Sequence, residues 1–421
     1  MEYLTTHGRA LRVGLFLALR QVRRSSKWTT GLIILIMTLT FLNLVVVSGI
    51  LVGLIEGSVE AARTHYTSDL ILNNLKAKQY IEHSNEIIDT IEHTPGIERY
   101  TARYSEGGSV EANYKTTKRP TDLPEKAGTN ITGIDPVAED AVTGLSTLLI
   151  EGEYLEPDDY DQIIIGSQLL KKYFPDEFEG FTTLRDVELG SKVRLEVNGI
   201  LREVTVKGIT KSKIDEIDRR VFMVDSEVRT LIGRTDHNVD EIAVKLKPGV
   251  DPITIKELFL SYGFGSYADV QTYEDAQPKF LKDIKATFAL LGNMISAIGL
   301  AVAVITVFIV IFINAITRRK FIGILKGVGI EGLAIEVAYI TQSLFYAFVG
   351  TSLGFLLVFG FLQPFIAAHP INFPFSDGIL VATVPGTLTR AGILFLATLI
   401  AGYVPAKIVV RQNTLDAILG R

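Results

Sequence analysis

The sequence contains no cysteine among its 421 residues. This absence excludes a disulfide-stapled domain, a metal site built on thiolates and a cysteine nucleophile. The patterns GxxxxGK[ST] and HExxH are also missing, so the usual phosphate-binding loop and zinc helix are not present. The G-x-S-x-G match at residues 350–354 lies within a long uncharged apolar segment, whereas the nucleophile turn joins a strand to a helix, so we do not interpret it as a nucleophile turn. The six histidines do not have the spacing of metal ligands. We therefore expect no catalytic residue and no metal site in this chain, and we predict that it is not an enzyme.

Formal charge is missing from four long windows, which are residues 28–55, 286–317, 337–376 and 391–406. The mean hydropathy of the chain is +0.29 although 21% of its residues are charged, so apolar and charged residues are segregated. A helix needs about 20 mostly apolar residues to cross a bilayer. The windows therefore predict a membrane protein with four transmembrane helices. We expect transmembrane helix 1 over 28–56, helix 2 over 283–317, helix 3 over 333–362 and helix 4 over 385–408.

Proline divides the third window. Its second half contains Pro364, Pro370 and Pro374, and proline interrupts the hydrogen bonds of a helix. We therefore expect helix 3 to end at 362 and to be followed by an extramembrane loop over 363–384.

Lysine and arginine are concentrated in three segments, the N-terminus 1–27, the segment 318–332 between helices 2 and 3, and the tail 409–421. Basic segments next to spanning helices stay in the cytoplasm, which predicts a multi-pass protein of the plasma (inner) membrane with both termini cytoplasmic. Residues 60–282 carry a net charge of −13, whereas the remainder carries +8. The acidic part is therefore expected outside the cytoplasm, and its sign argues against binding to nucleic acid.

The extracytoplasmic region 57–282 has the mixed pattern of an α+β domain. We expect two lobes, an outer lobe from 60–139 and 236–275 and an inserted lobe from 140–235. Within the inserted lobe, alternating apolar residues over 191–208 flank Asn198 and Gly199, which predicts a β-hairpin. The segment 167–174 is predicted to be a helix because Pro175 would end it.

Two glycine rows mark helix faces that another helix can approach closely. Gly49, Gly53 and Gly57 are spaced by four residues on helix 1, and Gly350 and Gly354 on helix 3. Packing within the chain and a subunit interface are both compatible with this spacing, so we expect a helix-packing or dimer face without deciding between them.

The segment 317–329 (TRRKFIGILKGVG) combines an apolar stripe with basic residues. Helical spacing places Phe321, Ile324, Leu325 and Val328 on one face, whereas the basic residues of the segment are Arg318, Arg319, Lys320 and Lys326. A short amphipathic helix of this kind either lies on the lipid bilayer or enters a groove of a partner protein. The basic and apolar segment 11–24 predicts an interfacial elbow helix ahead of helix 1.

Three segments resemble the FtsX-like/MacB-like permease family of ABC transporters, the type VII or mechanotransmission class. They are ALRQVRRSSKWTT…SGILVG (18–53), RRKFIGILKGVGI (318–330) and AGYVPAKIVVRQNTLDAIL (401–419). The second is the most specific, and the order of the three along the chain strengthens the resemblance. Lys320-Phe321 and Gln342 depart from the family pattern, which often has Arg-Glu and a glutamate at these positions.

The resemblance implies a permease subunit with a cytoplasmic coupling helix over 318–332, whose 318–328 part is seated in a groove of a separate cytoplasmic ABC ATPase. ATP and Mg²⁺ would be bound by that partner, so no cofactor is expected in this chain. A second permease copy, identical or different, and an extracytoplasmic adaptor are further partners to expect. Export or extraction of a lipid, lipoprotein, peptide or drug is the leading function. The alternative is a signalling subunit that controls an extracytoplasmic cell-wall hydrolase or sensor.

Overall fold

The computed structural model describes residues 2–24, 26–115, 125–174, 182–212, 214–372 and 377–411, so the tail expected over 409–421 lies largely outside the described residues. The chain divides into two compact units. The sheet unit is Gly57–Leu281, and the membrane unit consists of the described parts of Met1–Glu56, Lys282–Asn372 and Asp377–Arg421.

Among the described residues, four helices are long and apolar enough to cross a bilayer. Transmembrane helix 1 is Lys27–Thr67, helix 2 is Lys279–Thr317, helix 3 is Gly332–Ala368 and helix 4 is Val384–Val410. One precedes the sheet-rich part of the chain and three follow it, which confirms the predicted fold class.

Helices 1 and 2 both extend past their predicted boundaries on the side of the sheet unit. Helix 1 was expected to end at 56 but continues through a second α-helical part, Ser48–Ala62, and a π turn, Arg63–Thr67. Helix 2 begins at Lys279 instead of 283. The predicted boundaries rested on the first charged residue, and a charge marks the edge of the hydrocarbon rather than the end of a helix.

Helix 3 continues past its predicted end at residue 362. A π turn, Val358–Leu362, is followed by the helical turn Gln363–Ala368 with Pro364 in its first positions. Proline is tolerated in the first turn of a helix, where its missing N–H is not needed, and the π turn interrupts the regular hydrogen-bond series just before it. Pro364 is therefore accommodated without ending the helix.

The remaining helices are shorter. They are α1 (Glu2–Arg24), α2 (Ser84–His93), α3 (Pro136–Thr143), α4 (Asp215–Asp218), α5 (Asp225–Leu231), α6 (Pro252–Ser261) and α7 (Arg319–Gly327). In the membrane unit, α1 packs on the start of helix 3, where its Gly14 lies against Val337 and the carbonyl of Ala334.

Ten strands of the described residues form one sheet. They are β1 (Leu70–Asn74), β2 (Ile97–Ala112), β3 (Glu125–Ile134), β4 (Leu149–Gly152), β5 (Gln162–Gly166), β6 (Lys192–Val197), β7 (Ile200–Thr210), β8 (Arg220–Val224), β9 (Glu241–Leu246) and β10 (Ala268–Thr272). A separate short pair is formed by β11 (Ile371–Asn372) and β12 (Asp377–Gly378).

The order of the strands is β10-β1-β9-β2-β3-β8-β5-β7-β4, and β6 pairs with both β2 and β7. The first five strands come from the range predicted for the outer lobe, and the last four from the range predicted for the inserted lobe. The parallel pair β3–β8 joins the two groups. One sheet therefore runs through both lobes, while the lobe boundaries stay a prediction.

The hairpin predicted over 191–208 is confirmed. Strands β6 and β7 pair in register from Lys192↔Thr205 to Val197↔Ile200. Asn198 and Gly199 at its turn both have positive φ angles, 49° and 80°, as a two-residue type I′ turn requires.

The helix predicted over 167–174 is wrong. Only a 3₁₀ turn, Ser167–Leu169, is present. The backbone hydrogen bonds of this segment go instead to Leu184, whose N–H donates to Leu169 O at 2.7 Å and whose carbonyl accepts from Lys171 N at 2.9 Å. Pairing with a distant segment thus replaces the bonds that a helix would make.

The packing of helix 3 on helix 1 predicts that one added methyl group lowers the stability of the chain at Gly354 but not at Gly392. A Cβ at Gly354 would overlap the ring of the fully buried Phe41. We expect Gly354→Ala to destabilise the chain by about 1–3 kcal/mol through overpacking. The measurement is thermal unfolding of the full chain in detergent. Gly392→Ala on helix 4 is the control, because nothing lies within 4 Å of its added methyl group. Equal melting temperatures for the two variants would contradict this packing.

Candidate functional site

The predicted amphipathic segment forms α7, a short helix between helices 2 and 3. Arg318 precedes its first turn, and Gly329 leads the chain towards helix 3 with a φ of 95°, which a side chain would strain. A prediction of a continuous helix over 318–332 is therefore too long, because the chain reverses after Gly327.

One face of α7 is apolar and open to solvent. Phe321 and Ile324 are each 52% exposed, and Val328 just after the helix is 79% exposed. Lys320 is exposed beside them. Exposed apolar side chains of this size next to a basic residue suit a groove in a partner or a lipid surface. We call Phe321, Ile324 and Val328 the exposed stripe.

The opposite face of α7 holds the helix to the membrane unit. Ile322 is buried and Leu325, predicted as part of the stripe, is half-buried against the same apolar cluster. Sequence reasoning missed Ile322, although its spacing of three residues from Leu325 gives both one face. Lys326 Nζ donates to Val410 O at 2.8 Å, where a cation satisfies a carbonyl at the end of helix 4. Arg318 and Arg319 are half-buried.

The glycine rows are occupied by contacts within the chain. Gly350 and Gly354 of helix 3 lie against Met37 and Phe41 of helix 1, and Thr38 Oγ1 donates to Gly350 O at 3.2 Å. Contacts within the chain therefore occupy this face of helix 3.

The glycine row of helix 1, Gly49, Gly53 and Gly57, contacts the segment that leads into helix 4. Val381 N donates to Gly49 O at 3.2 Å, and a Cβ on Gly53 would collide with the carbonyl of Ile379. Gly57 is half-buried one turn further along helix 1.

A buried ion cluster lies in the sheet unit, at the end of helix 1. It consists of Tyr66, Arg103, Glu139, Arg220 and Glu241. Arg103 is 1% exposed and pairs with Glu139 through two hydrogen bonds, Nε–Oε2 at 2.9 Å and Nη2–Oε1 at 2.7 Å. Arg220 contacts Glu241 at 3.2 Å. Two positive and two negative charges thus balance one another away from water.

Tyr66 connects the end of helix 1 to this cluster. Its carbonyl accepts from Arg103 Nη2 at 2.8 Å, and its hydroxyl accepts from Arg220 Nη2 at 2.7 Å and donates to Glu241 at 3.0 Å. The chain then reverses at Ser68, which has φ 53° and ψ −150°, a strained conformation for a residue other than glycine. The surrounding contacts therefore fix the turn from helix 1 into β1.

Attraction between opposite charges keeps the side chains of the cluster ionised although they are buried. Burial alone would raise the pKa of Glu241, but the nearby Arg220 and Arg103, with hydrogen bonds from Arg220 and Tyr66, hold that pKa below its usual value. A second pair supports the same junction, because Arg63 Nη2 contacts Asp69 Oδ1 at 2.7 Å and Asp69 Oδ2 accepts from Leu246 N at 2.8 Å.

Sequence reasoning missed the cluster. Its members are spread from residue 66 to residue 241, and no local pattern joins them. The one available signal is that Arg220 and Glu241 each stand at the first position of a strongly apolar strand.

Family models match two parts of the chain. The model for a MacB-like periplasmic core domain matches residues 30–261, and the model for an FtsX-like permease C-terminal domain matches residues 293–414. An uncharacterized ABC transporter permease of Methanocaldococcus jannaschii is 23% identical over 277 residues, which are 64% of this chain. The match spans 65% of the length of that relative.

Two solved structures resemble part of the chain. The periplasmic region of MacB from Actinobacillus actinomycetemcomitans has 18% identity and a TM-score of 0.35, over 51% of this chain and 92% of that one. The extracellular domain of the noncanonic ABC-type transporter YknZ from Gram-positive bacteria has 15% identity and a TM-score of 0.31, over 48% of this chain and 98% of that one.

The buried ion cluster predicts a large cost for removing one of its charges. We expect Arg103→Met to destabilise the full chain by about 3–5 kcal/mol, because Glu139 and Glu241 would be left buried with less compensation. The measurement is urea unfolding of the detergent-solubilised chain, followed by far-UV circular dichroism.

The matched control is Lys192→Met in the exposed pair Lys192–Glu203. Exposed pairs contribute about 0–1 kcal/mol, so this variant should unfold almost like the parent chain. A similar, small effect of both substitutions would show that the cluster does not hold the sheet unit together.

Proposed function

The chain belongs to the MacB/FtsX family of ABC transporter permeases, and from this we propose that it couples ATP hydrolysis by a separate cytoplasmic ATPase to movement of its extracytoplasmic sheet unit. The movement would serve export or extraction of a lipid, lipoprotein, peptide or drug. The partner would bind ATP and Mg²⁺. The observation that carries the proposal is the exposed stripe of α7. This helix lies between spanning helices 2 and 3, in one of the three basic segments expected in the cytoplasm.

The exposed stripe supports docking of the ATPase. Phe321, Ile324 and Val328 are side chains that water would otherwise surround, and full burial of such a side chain contributes about 1.5–3 kcal/mol. Ile322 and Leu325 anchor the same helix to the membrane unit. A push on the stripe would therefore act on helices 2 and 3, which begin or end next to α7.

Helix 1 supports the proposed transmission across the bilayer. It is helical from Lys27 to Thr67, and residues 57–67 belong to the sheet unit. The buried ion cluster ties Tyr66 at this end to β2, β8, β9 and α3. In the proposed cycle, helix 1 carries movement to the sheet through these bonds rather than through a loop.

The surface of helix 2 supports assembly with a second permease copy. Ile298, Val302, Ile305 and Ile309 are exposed at spacings of four, three and four residues, which is the repeat of paired helices. Ala297 and Ala301 are exposed beside them, and small residues four apart let two helices approach closely. We propose this face, rather than the occupied glycine rows, as the contact between the copies.

The docking proposal predicts that a charge on the exposed stripe uncouples the partner. We expect Phe321→Asp to lower co-purification with the partner ABC ATPase by at least about tenfold, because truncation of an aromatic anchor at the centre of an interface costs about 2 kcal/mol or more. The ATPase rate in the full complex should fall with it. Charge reversal of Arg318, Arg319 and Lys320 should act in the same direction.

Glu331→Gln is the control, since Glu331 is exposed at the start of helix 3 but is not part of the stripe. It should leave the complex intact. If Phe321→Asp retained the ATPase and its stimulation as well as Glu331→Gln does, α7 would not be the docking helix.

The dimer proposal predicts that larger side chains on helix 2 separate the copies. We expect the double variant Ala297→Leu, Ala301→Leu to shift the full chain towards the monomer, measured by light scattering in detergent, because close approach of two helices needs small residues. Leu396→Trp on helix 4 is the control, because Leu396 is 65% exposed away from this face. An unchanged dimer in the double variant would exclude the alanine face.

A further inference from the structure

Helix 4 contains an arginine in its second turn that has no acidic partner among the described residues. Arg390 is half-buried, and its Nη2 donates to Ser48 Oγ of helix 1 at 2.8 Å. Within the part of the chain that the structure describes, no carboxylate lies within ion-pair distance of its guanidinium. By contrast, Lys285 of helix 2 pairs with Glu56 of helix 1. A guanidinium has five N–H donors, so most of the donors of Arg390 remain available.

The depth of Arg390 follows from the lengths of two helices. Arg390 and Lys407 are 17 residues apart on helix 4, which corresponds to about 25 Å along the axis. Lys27 and Ser48 are 21 residues apart on helix 1, or about 31 Å. The hydrocarbon of a bilayer is about 30 Å thick. The two estimates agree in placing the Arg390–Ser48 contact at the hydrocarbon boundary opposite α7.

A second polar side chain of helix 4, three residues before Arg390, has no hydrogen-bond partner among the described residues. Thr387 is completely buried, and its Oγ1 makes no hydrogen bond to the described residues. Residues three apart in a helix lie on one face, so Thr387 and Arg390 share a face of helix 4. A buried hydroxyl without a partner costs about 1–3 kcal/mol, and a ligand oxygen at this position would remove that cost.

Apolar side chains surround the polar groups on helix 4. Leu388, Ile393 and Leu396 are 58%, 45% and 65% exposed. Ile393 and Leu396 follow Arg390 along helix 4 into the hydrocarbon, where they face acyl chains, while Arg390 lies at its boundary, level with the lipid headgroups. An anionic headgroup joined to apolar chains matches both the guanidinium of Arg390 and the exposed apolar side chains, whereas a free anion matches only the guanidinium.

We propose that Arg390, Ser48 and Thr387 form a binding site for the phosphate of a phospholipid in the leaflet on the side of the sheet unit. The guanidinium donates to phosphate oxygens and supplies the missing countercharge, as arginine commonly does for phosphate. Ser48 fixes the orientation of the guanidinium between helices 1 and 4. The site does not depend on docking of an ATPase, so it stands or fails separately from the proposed function.

The test is native mass spectrometry of the full chain, released from detergent with added phosphatidylglycerol. We expect Arg390→Gln to lower the affinity for the most tightly retained lipid by about tenfold, the effect of losing charge-assisted hydrogen bonds. Lys407→Gln removes one positive charge at the other end of helix 4 and should retain that lipid. Equal losses in the two variants would indicate unspecific attraction and overturn the proposal.

A pair of threonine variants tests the site without changing charge. Thr387→Val should lower retention of the same lipid, whereas Thr389→Val should not, because Thr389 Oγ1 already donates to Pro385 O at 3.0 Å. Diacylglycerol, which has no phosphate, should not be retained, and excess inorganic phosphate should not displace phosphatidylglycerol. Retention of diacylglycerol, displacement by phosphate, or equal behaviour of the two threonine variants would each contradict a phospholipid phosphate site.

Discussion

The end of transmembrane helix 1 is held to the sheet by four charges that have almost no contact with water. Removing one ion from water costs several kcal/mol, and only close opposite charges and hydrogen bonds recover that cost. Arg103 and Arg220 meet Glu139 and Glu241 with this geometry, and Tyr66 supplies both a carbonyl and a hydroxyl to the same cluster. The position of Tyr66 relative to β2, β8 and β9 within the sheet unit is therefore specified by bonds with defined directions.

The need of a charge for water or for a close partner also explains where charges lie in the membrane unit. Charges are missing from the hydrocarbon windows because no partner is available there, and they reappear where a helix leaves the bilayer. Lys326 satisfies a helix-end carbonyl, and Glu56 pairs with Lys285. Arg390 of helix 4 is half-buried and has no acidic partner among the described residues.

Periodicity and charge placement were sufficient to predict the four spanning helices, the hairpin around Asn198-Gly199 and the amphipathic segment that became α7. These features depend on residues close together in sequence. The end of helix 1 was not predictable in this way, because Glu56 and Glu60 look like the start of a loop yet are compatible with a solvated helix.

In the candidate sites, too, features set by residues close in sequence were predicted, and features set by distant residues were not. The stripe was predicted with one residue too many, since Leu325 turns towards the membrane unit together with Ile322. The segment after Ser167 depends on Leu184, and the buried ion cluster joins five segments that only the fold brings together. Local patterns do not contain such pairings, because the long-range partner decides the backbone hydrogen bonds and the burial of each charge.

The proposed coupling requires the exposed stripe and the sheet unit to lie on opposite sides of the membrane. The chain has no cysteine, so single-cysteine variants at Val328 and at the exposed Lys192 can be labelled without background by a membrane-impermeant maleimide on intact cells. The account predicts that Lys192→Cys is labelled from outside, whereas Val328→Cys is labelled only after the membrane is permeabilised. Labelling of both variants on intact cells would contradict it.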